Sequence, residues 1–139
     1  SYLPPLLPRP GVSREESGFE EVKVEHNVSR DGVSGMRVVA TARPSQLKSK
    51  TEHRVFVEFY GPDDRLVGEA SHEFVPRRAN AAEDIEVFAP YLFMRNLPDG
   101  EHDVSFRLLV ECPGAPEVRL ESEVVSFHLS KGPASFMGR

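Results

Sequence analysis

Apolar and polar residues alternate with a period of two through most of the chain, which is typical of β-strands with one buried face. Turn signals rich in Gly, Pro and Asp separate these stretches. The pattern predicts an all-β fold, an antiparallel β-sandwich of about seven strands. In the last strand the apolar phase slips by one residue at Val124 and Val125, which predicts a β-bulge. The strands are expected near residues 22–28, 36–42, 55–60, 65–75, 85–88, 102–112 and 118–129.

A concentrated apolar run at residues 88–94 interrupts the alternation. Pro90 is its third residue and suits the first position of a helix, so residues 90–96 predict one helical turn. In so short a connection, not every large side chain can point inward. Two interpretations follow. The run plugs one end of the sandwich, or Tyr91 and Phe93 point outward and anchor a partner, as aromatic side chains do at interfaces.

The chain divides into three segments. Residues 1–18 carry four prolines and predict an extended leader. Residues 19–130 form the sandwich domain, and residues 131–139 are expected to be a flexible tail. The leader is either a tether that packs on its own domain or a docking peptide. The apolar residues that raise the second alternative are Tyr2, Leu3, Leu6 and Leu7.

Two stretches resemble bacterial immunoglobulin-like and fibronectin-type-III-like modules. Residues 97–106 begin Leu-Pro-Asp-Gly and continue as His102, Val104 and Phe106, like the turn that enters a late strand of such modules. Residues 55–75 resemble a hairpin of the same modules. The resemblance implies an immunoglobulin-like scaffold for adhesion, assembly or domain spacing. Fold alone does not supply the function.

The same hairpin also resembles part of a C2 domain, whose loops bind calcium through acidic residues. In a sandwich of sequential strands, alternate loops lie at the same end, and this would gather aspartates at one end of the domain. Calcium takes six to eight oxygen ligands, so clustered Asp residues are candidates for a site. Residues 60–62 depart from the C2 pattern because they are Tyr-Gly-Pro instead of spaced acids. The weak metal candidates are Asp63, Asp64 and Asp99.

The remaining loops would gather basic residues at the opposite end of the domain. Arg77 and Arg78 are adjacent within one of these loops, and we expect them to attract an anionic partner surface. The alternative is that these charges are simply solvated, as loop charges usually are. The full basic set is Arg43, Lys48, Lys50, Arg54, Arg77 and Arg78.

No catalytic motif stands out, and we predict a non-enzymatic module without a cofactor. The chain lacks a hydrolase elbow, a phosphate-binding loop and a His-Glu-x-x-His motif. Cys112 lies on the apolar phase of a strand, where a buried, unreactive thiol is expected. The five histidines have no metal-ligand spacing.

Composition narrows the partner class. The 139 residues carry a net charge of −5, which argues against a dedicated nucleic-acid binder. No apolar run approaches the roughly 18 residues that a membrane span needs. Arg outnumbers Lys 13 to 4 and Val outnumbers Ile 17 to 1, which indicates GC-rich coding and a bacterial source.

We therefore expect a protein-interaction or assembly module excised from a larger bacterial protein, with the cytoplasm favoured over the cell envelope. Its partner would be another protein or a neighbouring domain of the same polypeptide. The alternative function is a calcium-dependent C2-like module that binds membrane or carbohydrate.

Overall fold

The computed structural model describes residues 17–78 and 80–139, and these residues confirm the all-β class. They form nine strands and one 3₁₀ turn, Tyr91–Met94. The predicted leader, with its apolar residues, lies outside the described residues except for Ser17 and Gly18. The strands are β1 (Phe19–Arg30), β2 (Val33–Ala42), β3 (His53–Tyr60), β4 (Leu66–Phe74), β5 (Glu83–Pro90), β6 (Gly100–Glu111), β7 (Arg119–Glu121), β8 (Val125–Lys131) and β9 (Phe136–Gly138).

The strands make two antiparallel sheets in a sandwich-like arrangement. The smaller sheet has the order β1-β2-β5, and the larger has the order β4-β3-β6-β8-β9, with β7 also paired to β6. The larger sheet curls into a half-barrel. No helix among the described residues is long and apolar enough to cross a membrane.

The apolar phases of the two sheets meet in one core. On β6 the predicted inward face is confirmed, because Phe106, Leu108 and Val110 are fully buried. The rings of Phe59, Phe106 and Phe127 pack together with centroids 6.1–6.3 Å apart. Burial of these aromatic side chains removes a large apolar area from water and provides much of the driving force for folding.

The prediction of about seven strands is wrong, because the described residues form nine. One reason is that residues 122–124 interrupt the predicted last strand. The predicted last strand is two strands, β7 and β8, which pair with different parts of β6. At the break, the Leu108 N–H donates to Ser122 Oγ at 2.7 Å, and the Ser122 N–H donates to the Leu108 carbonyl at 3.0 Å. The phase slip at Val124 and Val125 therefore marks an interruption of the strand and not a simple bulge.

The other reason is β9, which forms in the segment predicted to be a flexible tail. It pairs with β8, and its Gly138 also meets the bulged part of β1. Asn27, at a φ of 61°, donates from Nδ2 to the Gly138 carbonyl at 2.8 Å and accepts the Gly138 N–H at 2.9 Å. Asn tolerates this left-handed conformation better than most residues. Through these bonds β9 links the two sheets.

Candidate functional site

The apolar run at residues 88–94 is divided between the core and the surface. Tyr91 and Met94 are fully buried, whereas Leu92 is 48% and Phe93 is 40% exposed. A 3₁₀ turn has three residues per turn, so its first and fourth side chains share one face. This geometry places Tyr91 and Met94 inward and the two residues between them outward. Tyr91 and Met94 therefore point into the core, as the plug interpretation expected, and Phe93 points outward, as the second interpretation expected.

The backbone around the turn holds it close to β4. Pro90 is extended, with φ −61° and ψ 135°, and the turn follows it directly. The Arg95 N–H donates to the Leu92 carbonyl at 3.0 Å, and the Leu97 N–H donates to the Met94 carbonyl at 3.1 Å. A Cβ at Gly68 of β4 would collide with the Phe93 carbonyl oxygen, so only glycine permits this close approach.

Tyr91 is not the surface anchor that one interpretation proposed, because its hydroxyl is part of an internal network. The hydroxyl lies 2.7 Å from His26 Nδ1 and accepts the Asn27 N–H at 3.0 Å. Burial raises the pKa of Tyr91, and burial also lowers the pKa of His26. A neutral His26 can accept the hydroxyl hydrogen, so the network fits uncharged partners. Since Asn27 also binds Gly138, the network connects the turn to β9.

We call the outward side chains of the turn, Leu92 and Phe93, the turn patch. The loop at residues 61–65 belongs to the same end, because a Cβ on Gly61 would lie 3.7 Å from Leu97 Cδ2.

The aspartates predicted near this end are engaged locally. Asp63 pairs with Arg65 at 3.4 Å, and Asp99 pairs with Lys131 at 3.4 Å. Asp64 occupies a left-handed turn position at φ 61°. Among residues 17–78 and 80–139, no three His, Cys, Asp or Glu side chains come together as a group that could hold a metal ion. The three candidate ligands of the calcium alternative are therefore not assembled.

The basic loops meet at the opposite end. The Lys50 N–H donates to the Pro76 carbonyl at 3.1 Å, which joins two of these loops. Arg77 and Arg78 are exposed, and neither has an ion pair within the part of the chain that the structure describes. The Arg77 backbone N–H donates to Glu83 at 3.1 Å. Cys112 is buried nearby, as the sequence predicts.

Sequence reasoning missed a buried charge on the outer face of the larger sheet. Arg107 lies on the polar phase of β6 but is only 3% exposed. Its Nε donates to Glu58 at 2.7 Å, and its Nη1 lies 3.7 Å from a carboxylate oxygen of Glu121. Tyr60 also donates to Glu58, at 3.2 Å. The cluster joins β3, β6 and β7, and the only signal for it was the cross-strand register.

Comparison with known proteins found no matching family model and no matching curated protein.

Proposed function

We propose that this domain is a non-enzymatic protein-interaction module of the immunoglobulin-like or fibronectin-type-III-like class, and that its partner contacts the turn patch. One observation carries the proposal. Two adjacent large apolar side chains, Leu92 and Phe93, are held half-exposed by a turn whose other two side chains are fully buried.

The arrangement of strands supports the class. The neighbours β4-β3-β6-β8 follow the order of the C′, C, F and G strands in immunoglobulin-type sheets, opposite a smaller sheet of first, second and fifth strands. The Leu-Pro-Asp-Gly turn at residues 97–100 leads into β6, which takes the place of the F strand. In such modules, binding residues usually lie on loops at an end of a rigid scaffold.

The physical state of the turn suits binding. The free energy of the complex is lowered when a partner removes exposed apolar side chains from water, and aromatic residues are enriched among the strongest contacts. Tyr91 and Met94 fix the backbone from inside, so little additional order is required when a partner binds. A preorganised surface loses less conformational entropy on association. The partner is then a protein, or a neighbouring domain of the same polypeptide, with a complementary apolar pocket.

A photo-crosslinking experiment tests the proposal. A benzophenone amino acid replaces Phe93 in one protein and Val75, which is 56% exposed, in a second protein. Both are irradiated in extracts of the cells from which the gene comes, and captured proteins are purified for binding measurements. We expect position 93, and not position 75, to capture a partner that binds the purified domain.

The matched variants are Leu92→Ser with Phe93→Ser, and as control Val75→Ser with Met137→Ser at a similarly exposed pair. We expect the first double variant to lose at least about tenfold in affinity for the captured partner, and the control to retain it. Equal affinity of both double variants would show that the patch is not the interface.

A further inference from the structure

The edge strand β5 of the smaller sheet is regular along its whole length. It pairs with β2 through all its residues, from Glu83 opposite Ala42 to Pro90 opposite Gly35, without a register shift. β1 and β4 are longer edge strands, and each lies in a pairing with a register shift. Bulges protect a strand edge from pairing with another chain. The outer edge of β5 lacks this protection.

The register shows which backbone groups of β5 point outward. Pairs in an antiparallel ladder alternate between pairs that exchange backbone hydrogen bonds and pairs that direct their N–H and C=O groups away from each other. Pro90 has no N–H to donate to Gly35, so this pair is of the second kind. In steps of two from Pro90, the other residues that direct their groups away from β2 are Asp84, Glu86 and Phe88.

A hydrogen bond on the other side of β2 gives the same phase. Arg43 follows the last residue of β2, and its N–H donates at 2.9 Å to the Gly18 carbonyl, on the side of β1. Successive residues of a strand bond to opposite neighbours, so Ala42 faces β5 and its partner Glu83 faces β2. Asp84, the next residue, therefore faces outward.

The outward groups of β5 are open. The backbones of Asp84, Glu86 and Phe88 have no partner on this side within the described chain. The side chains of Asp84 and Glu86 are exposed, so the solvent reaches the edge. On the inner face, Ile85 and Val87 are buried in the core. Side chains of an added strand would alternate between the exposed and the buried face, and apolar residues suit the positions beside Ile85 and Val87.

The charge of β5 selects the added segment. The strand has three acidic residues and no Lys or Arg. Glu86 is already paired with Arg37 and Arg30, at 2.8 and 3.3 Å. Asp84 and Glu83 have no ion pair within residues 17–78 and 80–139. Since opposite charges on facing residues stabilise a sheet, Arg or Lys suits the positions that face Asp84 and Glu83.

The sequence of β5 disfavours a second copy of this chain as the added strand. Both copies must keep their exposed faces on the same side, and this leaves two longest pairings. Pairing residues 83–89 with themselves places Glu86 opposite Glu86, and facing like charges are destabilising. Pairing residues 84–90 places Pro90 opposite Asp84, where Pro90 cannot donate a hydrogen bond.

We propose that the outer edge of β5 accepts an extended segment of a partner protein, in which β-branched residues precede Arg or Lys. The segment runs antiparallel to β5, so that its basic residues face Asp84 and Glu83. This is β-strand addition, where main-chain hydrogen bonds contribute affinity and side chains contribute specificity. The edge does not include Leu92 or Phe93, so this proposal and the turn patch can fail separately.

The test uses the whole chain and the peptide acetyl-Tyr-Val-Thr-Val-Arg-Lys-amide, whose residues would face Phe88 to Glu83 in that order. A methyl group on the Thr amide removes the donor that would face β5 opposite Glu86. A methyl group on the amide of the second Val alters an N–H that would face solvent, and this peptide is the matched control. We expect the first methylated peptide to bind at least about tenfold more weakly than the parent peptide, and the control to bind like the parent.

Charge reversal tests the specificity. Asp84→Lys should weaken binding of the basic peptide at least about threefold and improve binding of acetyl-Tyr-Val-Thr-Val-Glu-Glu-amide, because the facing charges change sign. Glu123 is exposed and lies beside β1, at the other edge of the smaller sheet. Glu123→Lys makes the same change in net charge and should leave both affinities unchanged.

Amide hydrogen exchange in the unsubstituted protein provides an internal control. The Glu86 amide should exchange at least about tenfold more slowly with the basic peptide, whereas the Val87 amide, bonded to β2, should be slow throughout. The proposal would be overturned by no binding of the basic peptide, by equal binding of the two methylated peptides or of the basic and acidic peptides, or by unchanged Glu86 exchange in the complex. A Glu86 amide protected without peptide would also overturn it, and loss of that protection on dilution would assign the edge to a second copy.

Discussion

Tyr91 and Phe93 stand two positions apart in one turn and have similar rings, yet Tyr91 lies inside the protein and Phe93 lies at its surface. Tyr91 is fully buried, with its hydroxyl bonded to His26 and Asn27, whereas Phe93 is 40% exposed. The three-residue period of the turn separates them. The comparison teaches that one short apolar run can supply both a core side chain and a surface side chain, and that stability and binding can be changed separately.

The largest expected effect is on the buried side. Tyr91→Ala should lower the free energy of unfolding by roughly 3–5 kcal/mol, the range for emptying a buried aromatic site. Phe93→Ala should cost about 1 kcal/mol or less, since surface substitutions rarely cost more. Urea denaturation of both variants measures the difference. Equal losses would show that the two rings have the same environment, against the burial described here.

A smaller effect should follow from removing only the Tyr91 hydroxyl. Tyr91→Phe leaves the Asn27 N–H without its acceptor, which we expect to cost about 1–3 kcal/mol. Because Asn27 also binds Gly138, amide exchange at Gly138 should become faster. Hydrogen exchange followed residue by residue measures this. Unchanged exchange at Gly138 would mean that the hydroxyl does not help to hold β9.

Two histidines should give opposite pH dependences. Burial lowers the pKa of His26, so its contribution is complete above about pH 6.5 and decreases as the pH falls below that value. Hydrogen bonds that His128 donates to Glu101 and Asp103 raise the pKa of His128, so its contribution is complete below about pH 6.5 and is lost as the pH rises through the folded-state pKa. Between pH 5 and 8, the loss of unfolding free energy relative to the parent should therefore be largest at high pH for His26→Gln and largest at low pH for His128→Gln. Parallel profiles would contradict this assignment.

Much of the fold was predictable because strand burial has a period of two and is written locally in the sequence. The inward residues of β6 and the turn after Pro90 follow from such local patterns. β9 has only three residues, too few to show alternation, and its place depends on Asn27 more than 100 positions earlier. Contacts between distant segments leave no periodic signal.

The candidate site was predictable only in part for the same reason. The apolar run identified the correct turn, and Phe93 is exposed as one interpretation required. For Tyr91 the outward interpretation was wrong, because the amino-acid sequence alone does not reveal which residues bond to its hydroxyl. The burial of Arg107 depends on Glu58 and Glu121 from neighbouring strands, and strand register cannot be read from one segment.

Substituting the outer side of the turn should have the smallest effect on stability and the largest effect on binding. One comparison of variants tests both expectations. Leu92→Ser with Phe93→Ser is compared with Tyr91→Phe for both unfolding free energy and affinity for the crosslinked partner. We predict that the double variant stays within about 1 kcal/mol of the parent and loses at least about tenfold in affinity, whereas folded Tyr91→Phe binds normally despite its lower stability. A double variant that binds the partner as tightly as the parent, or that unfolds, would contradict the claim that the outer side of the turn is a binding surface.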